Sequence, residues 1–310
     1  MRKKVVAITV GAVILWGIGV TTCHIATKLL DRGYIPGRET EPRFPSKYTT
    51  LDDRPETMRV DPRDIWGYRR NPFLHDSTAH ATDISEFTET IRKDPEHASE
   101  CYGFRGYTYA DAGDYDKAIT DLTEAIRLKP EWAEWYYDRG AVYAAQGKYD
   151  KSVLDFTKAL DEFGRDNPLC YDVILLRGLA YEKAGNLDKA IADYTVAEAA
   201  CGFGWVRYLR GDAYAAKADY DKAIADYAEA LRLNPKFLWA RYRRGEAYAA
   251  RSEYDKAIAD FNAFIEVHPM DALAYRDRGN AYKAKGEKDK AVTDYEMYKT
   301  LESYQRRKAK

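Results

Sequence analysis

The chain has 310 residues, and its 49 lysines and arginines stand against 50 aspartates and glutamates, a formal net charge of −1. So even a balance makes no electrostatic case for nucleic acid as the main partner, the basic end Gln305 to Lys310 being the exception. The hydrophobic share of 45% is that of a folded protein, and tyrosine, at 26 against 10 phenylalanines, is in unusual supply.

Arg2, Lys3 and Lys4 open the chain, and an apolar run follows from Val5 to about Ala26. It is long enough to span a bilayer as one helix. No small-x-small cleavage site follows Val20, and Thr22 before Cys23 departs from the small residue that precedes a lipidated cysteine. Residues 1–26 are therefore read as an uncleaved signal anchor. The basic flank holds the N-terminus in the cytoplasm and places the rest of the chain outside it, as in a periplasm, with Lys28 and Arg32 pulling the other way. Residues 27–82 contain Pro36, Pro42, Pro45, Pro55, Pro62 and Pro72 among mixed charges, a composition that forbids long elements and predicts an extended linker. Its aromatic cluster, Asp64 to Arg70 (DIWGYRR), reads as a segment that docks on the folded body or on a partner.

Residues 83–95 predict a lone amphipathic helix that caps the N-terminal end of a repeat array. From 99 to 308 the chain repeats itself. An Arg-Gly pair recurs with its glycines at Gly106, Gly140, Gly178, Gly211, Gly245 and Gly279, each followed three residues on by tyrosine, then by a segment of the type YDKAIADY. Apolar residues at three- and four-residue spacing make each copy two helices joined by a short turn. A period near 34 with a helix pair per copy predicts an all-α, stacked solenoid.

The pattern resembles the tetratricopeptide repeat family over about two thirds of the chain. Beyond the glycines and tyrosines, Ala118, Ala190, Ala223, Ala257 and Ala291 fill the family's alanine slot, and Leu122, Phe156, Tyr194, Tyr227, Phe261 and Tyr295 its aromatic slot. Pro130, Pro168, Pro235 and Pro269 close four copies. The resemblance implies a right-handed α-solenoid of stacked antiparallel helix pairs, six in number, and a scaffold that binds protein rather than an enzyme. Tyr298 stands in a slot assigned elsewhere to Ala125, Ala159, Ala197, Ala230 and Ala263, so a ring there ends the stacking; Met297, Tyr298 and Leu301 then form a self-association surface.

Where the family carries leucine, this chain has Arg105, Arg139, Arg177, Arg210, Arg244 and Arg278, each followed sixteen residues later by Asp121, Asp155, Asp193, Asp226, Asp260 or Asp294. A guanidinium near a helix seam needs a carboxylate, so these predict a structural ladder. Glu86 sits in the aspartate slot of the lone helix, which has no arginine of its own, and favours pairing across the hairpin boundary.

No histidine, cysteine or carboxylate set has the spacing of a metal site or a catalytic triad, and no glycine loop cradles phosphate; catalytic, cofactor and metal residues are expected to be none. In solenoids of this kind the first helices line a concave groove, and outward residues there are the candidate partner contacts: Tyr107, Tyr137, Leu175, Trp205, Tyr208, Trp239, Tyr242, Arg243, Arg276 and Asn280, with Asp138, Asp212, Glu246 and Asp277 on the same faces. Rings with both charge signs suit a protein or peptide segment. Cys170 and Cys201 stand at the two ends of the third helix pair that antiparallel packing brings together, and an exported chain would bridge them as a disulfide. Other readings are a non-catalytic module of a cell-envelope enzyme assembly and a membrane receptor facing the cytoplasm.

Overall fold

The computed structural model describes residues 77–163 and 169–308, all of it helix and short turns. Helix α1 (Ser77–Lys93) starts six residues before its expected onset and leads through a 3-10 turn (Pro95–His97) into α2 (Ala98–Asp111). Twelve helices from α2 onward form six antiparallel pairs. These are α2 with α3 (Tyr115–Leu128), α4 (Ala133–Ala145) with α5 (Tyr149–Phe163), and α6 (Leu169–Lys183) with α7 (Leu187–Cys201). The rest are α8 (Gly204–Ala216) with α9 (Tyr220–Leu233), α10 (Leu238–Ala250) with α11 (Tyr254–Val267), and α12 (Ala272–Lys285) with α13 (Lys288–Lys308). Each helix packs on its neighbours in the chain, and successive first helices also touch, α2 with α4, α4 with α6, α8 with α10 and α10 with α12. A stack whose first helices crowd together curves with them on the inside. The expected signal anchor lies outside the described residues; among those described, no helix is long and apolar enough to cross a membrane.

The repeated glycines are what let each pair close. A Cβ on Gly211 would stand 2.7 Å from the Tyr227 ring, and one on Gly245 2.9 Å from the Phe261 ring. The aromatic slot thus packs against bare backbone, and Phe156, Tyr194, Tyr227 and Phe261 are all fully buried. The tyrosine after each glycine has a different task. Tyr143, Tyr181, Tyr248 and Tyr282 lie between the ladder arginine (5.8–6.0 Å) and the lysine of the YDK segment (5.2–5.5 Å), so one ring serves two cations.

Pairing within hairpins, not across them, is the rule for the ladder. All six arginines grip the aspartate of their own hairpin through Nε and Nη2, with donor–acceptor distances of 2.6–2.8 Å. The expectation drawn from Glu86 fails because the fork is filled bidentately at home. What crosses the boundary is the remaining nitrogen: Nη1 of Arg105, Arg139, Arg177 and Arg210 donates to Thr88, Thr123, Thr157 and Thr195 of the preceding element, and that of Arg278 to Asn262. Each of these five arginines therefore ties its own two helices together and to the hairpin or helix before.

The expected stop at Tyr298 also needs correction. Counted from the glycines, that slot in the fifth hairpin holds Phe264, not Ala263, and Phe264 is fully buried with another hairpin stacked beyond it. Its ring packs on Trp239 and Tyr242 of the same hairpin, at 5.1 and 4.9 Å, and Ala274 of the next first helix joins the same core cluster. A ring in this slot does not by itself end the stack. Leu301 is buried as well, which leaves Met297 and Tyr304 as exposed apolar residues toward the end of α13.

Six equivalent turns come after the first helices. Gly113, Gly147, Gly185 and Gly286 take them at φ 73–90°, but Ala218 and Ser252 are forced into the same left-handed region at φ 59° and 63°. An L-residue there costs about 1–2 kcal/mol. Ala218→Gly is expected to raise stability by about 0.5–1 kcal/mol, after the extra freedom glycine has when unfolded. A thermal melt of the single substitution decides it; a lower midpoint would mean the turn is not strained.

Candidate partner-binding groove

The glycines, slot rings and ladder recur from hairpin to hairpin and so explain the stack. Function must lie in what does not recur. Along the inner face the residue just after the ladder glycine is Tyr107, Ala141, Leu179, Asp212, Glu246 and Asn280 in turn, and two before it stand Phe104, Asp138, Leu176, Leu209, Arg243 and Asp277. The first three hairpins present mainly rings and aliphatics. The last three present charge.

That charge is wired across helices. Arg243 on α10 reaches Glu246 one turn on at 2.9 Å and Asp212 on α8 at 3.6 Å. Asp212 accepts the buried hydroxyl of Tyr227 at 2.6 Å. Asp277 on α12 accepts Tyr242 from α10 at 2.5 Å and Arg276 beside it at 2.9 Å. Burial pushes the carboxyls of Asp212 and Glu246 above their ordinary range, against the pull of Arg243. Burial also opposes the charge on Arg243, but Asp212, Tyr208 and Glu246 outweigh it and hold the guanidinium firmly protonated. The result is a pre-set line of donors and acceptors over α8, α10 and α12, with Arg243 and Asn280 exposed at its surface.

The predicted contacts divide accordingly. Arg243, Arg276 and Asn280 lie on the open charged half. Tyr107, Trp205 and Trp239 are half-buried, Trp205 stacking on Phe203 at 6.5 Å. Tyr137, Leu175, Tyr208 and Tyr242 are buried. For the last two the cause is packing: Tyr208 lies on Phe237 at the start of the next hairpin at 4.9 Å, and Tyr242 lies on Phe264 of its own hairpin at 4.9 Å with its hydroxyl on Asp277 of the next, so their rings are core and not free contact surface. Sequence reasoning missed Glu182, which accepts the buried Tyr194 hydroxyl at 2.7 Å. A signal was available: where the aromatic slot is tyrosine, the first helix offers an acceptor, Glu182, Asp212 or Asn280. Cys170 is buried at the start of α6; the side chain of Cys201 lies outside the described residues, and so does the bridge between them. Among the described residues no group of three or more metal-ligating side chains gathers.

A second concavity of about 540 Å³ opens between α5, α6 and α7, lined by Asp150, Leu154, Tyr181 and Lys189 among others. At other junctions a first-helix end clasps the YDK aspartate of the preceding hairpin: Gln146 to Asp116, Lys217 to Asp188, Arg251 to Asp221 and Lys285 to Asp255. Ala184 takes that place opposite Asp150, and the seam is left open.

Family models settle the architecture. TPR repeat models match residues 106–147 and 211–251, and tetratricopeptide repeat models match 133–162, 155–204 and 242–305. Together they run over 106–204 and 211–305, more than half of the chain. The chain belongs to the tetratricopeptide repeat family. Solved structures agree. A tetratricopeptide repeat protein from Parabacteroides merdae superposes with a TM-score of 0.58 at 25% identity over 66% of this chain and 80% of that one. MamA protein gives 0.51 at 25% over 56% and 94%. YrrB, described as a TPR protein with an unusual peptide-binding site, gives 0.54 at 22% over 61% and 95%, a likeness of fold alone. No curated protein matches the chain. As a tetratricopeptide repeat chain it is of scaffold type, its helices spent on stacking and its variable inner face left for recognition.

Proposed function

We propose that the inner face of α8, α10 and α12 holds a segment of a protein partner, and that the chain is a non-catalytic scaffold anchored to a membrane by residues 1–26 with its repeats on the extracytoplasmic side. The observation that carries the binding site is the Asp212, Arg243, Glu246 and Asp277 network, which is charged, cross-helix and absent from the repeating pattern. Buried tyrosine hydroxyls fix its carboxylates, so a partner meets donors and acceptors that are already oriented. The exposed end of α13, with Met297 and Tyr304, is the face on which two copies would associate.

Arg243→Glu reverses the exposed charge at the centre of this network. It is expected to weaken partner capture from solubilised membranes at least about tenfold, because like charge set across an interface costs several kcal/mol. The thermal midpoint should fall too, since Arg243 is the counter-charge of Asp212 and Glu246, so capture is read at a temperature where circular dichroism shows the helices intact. Capture equal to the parent would remove the charged face as the partner site.

Export has its own test. Cys170 and Cys201 are proposed to be bridged, so differential alkylation of intact cells followed by peptide mass spectrometry should recover them as a disulfide. Two alkylatable thiols would place the repeats in a reducing compartment.

A further inference from the structure

The open seam between α5, α6 and α7 departs from the repeat on both of its sides. Six residues after the ladder glycine, the hairpins stacked on a preceding one carry a long polar side chain, Gln146, Lys217, Arg251 or Lys285, except the third, which has Ala184. Those four side chains reach the YDK aspartate of the hairpin before, Lys285 at 2.6 Å from Asp255 and Gln146 at 3.1 Å from Asp116. Asp150 is left without a hydrogen bond or ion pair among the described residues. One residue before the ladder aspartate, five hairpins carry a small residue, Thr120, Ala192, Ala225, Ala259 or Thr293, and the second carries Leu154. Stacking does not need the leucine, since five copies stack without it. Leu154 is 70% exposed, the most of any large apolar side chain among the described residues. It stands one helical turn after Asp150, and both line the same cavity of about 540 Å³. That volume lies within the range of about 300–1,000 Å³ usual for binding pockets.

We infer that this seam is a second docking site, which takes a lysine or arginine side chain of a partner protein together with an apolar residue beside it. The stack itself supplies the precedent. Against Asp150 the incoming cation fills the place that Lys217, Arg251 and Lys285 fill at other junctions, and its apolar neighbour covers Leu154 and Val153. Charge selects the same occupant. The cations of the cavity are engaged, Lys158 with Glu162 at 2.6 Å and Lys189 over the Tyr181 ring at 5.3 Å. Asp161, the other carboxylate of the lining, forms no ion pair among the described residues, so the charge left unmatched at the seam is negative. A complementary cation is what such a rim favours. The lining comes from α5, from the start of α7 and from one ring of α6, and no residue of the Arg243 network takes part. This site therefore goes beyond the partner face on α8, α10 and α12.

The experiment uses the full chain in detergent and two fluorescein-labelled peptides, GSGLRLGSG and its counterpart with glutamate in place of arginine. Fluorescence anisotropy should show the arginine peptide binding and the glutamate peptide at least about tenfold weaker, the effect of roughly one charged contact. Ala184→Lys gives Asp150 a partner from within the chain, and Leu154→Ala gives the second hairpin the residue of the third, fourth and fifth. Each should weaken the arginine peptide about tenfold. Both return the seam to a pattern that already stacks elsewhere in the chain, and circular dichroism checks that the helices are unchanged. Arg243→Glu should leave the affinity as it is, which separates this seam from the charged partner face. No saturation by about 1 mM peptide, equal or tighter binding of the glutamate peptide, full affinity in either seam variant, or a loss in Arg243→Glu would each overturn the inference.

Discussion

Trp239→Ala combined with Tyr242→Ala is expected to open the C-terminal hairpins, not merely to weaken partner capture. The Tyr242 ring lies 4.9 Å from Phe264 and 5.6 Å from Phe261, and its hydroxyl donates to Asp277 of the following hairpin. Trp239 stands edge-on to Phe264 at 5.1 Å and over His268 at 6.3 Å. Removing a buried ring costs about 3–5 kcal/mol, which applies to Tyr242 directly and to half-buried Trp239 in part. The two losses do not add, because the rings touch each other at 6.0 Å and share Phe264. In a solenoid each hairpin leans on its neighbours, so the damage should stay local. Hydrogen exchange should show amides of 238–308 losing protection while those of 98–201 keep it. Full stability with lost capture would put both rings back on the contact surface.

This reversal shows where the sequence was legible. The spacing of Gly211, Tyr214, Ala223 and Tyr227 reports the hairpin because each is needed by contacts inside one hairpin, at a fixed separation along the chain. The same holds for Arg210 and Asp226. Tyr242 is different: besides Phe261 and Phe264 of its own hairpin it serves Asp277 of the next, and its position is not filled alike in every copy, so a ring expected to face outward became core. Glu182 escaped notice because the group it serves, the Tyr194 hydroxyl, arrives from the opposite side of the hairpin. The mistaken slot at Tyr298 had a similar origin. Phe264 is buried under Trp239 and Tyr242 of its own hairpin, neighbours that the spacing of the slot does not display.

Arg210→Leu restores the family's leucine and is nevertheless expected to destabilise the chain. Arg210 holds Asp226 through Nε at 2.8 Å and Nη2 at 2.7 Å, reaches Thr195 at 3.2 Å and lies 3.9 Å from Glu198. Its side chain is 14% exposed and that of Asp226 10%, so neither is fully hydrated in the folded state. Leucine would supply apolar volume but leave the Asp226 carboxylate facing it without its fork. Breaking one side of a buried pair costs about 3–5 kcal/mol, and the residual exposure here points to the lower part of that range. The pair itself need not be worth so much. Arg210→Leu with Asp226→Leu should recover most of the loss, since two apolar residues of suitable volume satisfy a seam as well as an ion pair does. What the double substitution cannot recover is the bond to Thr195 across the boundary, so a deficit of about 0.5–1.5 kcal/mol should remain. Urea unfolding of the parent, both single substitutions and the double gives the cycle. A single Arg210→Leu as stable as the parent would mean that the ladder does not hold the hairpins; a double as unstable as the single would mean that the fork, and not the stranded charge, supplies the stability.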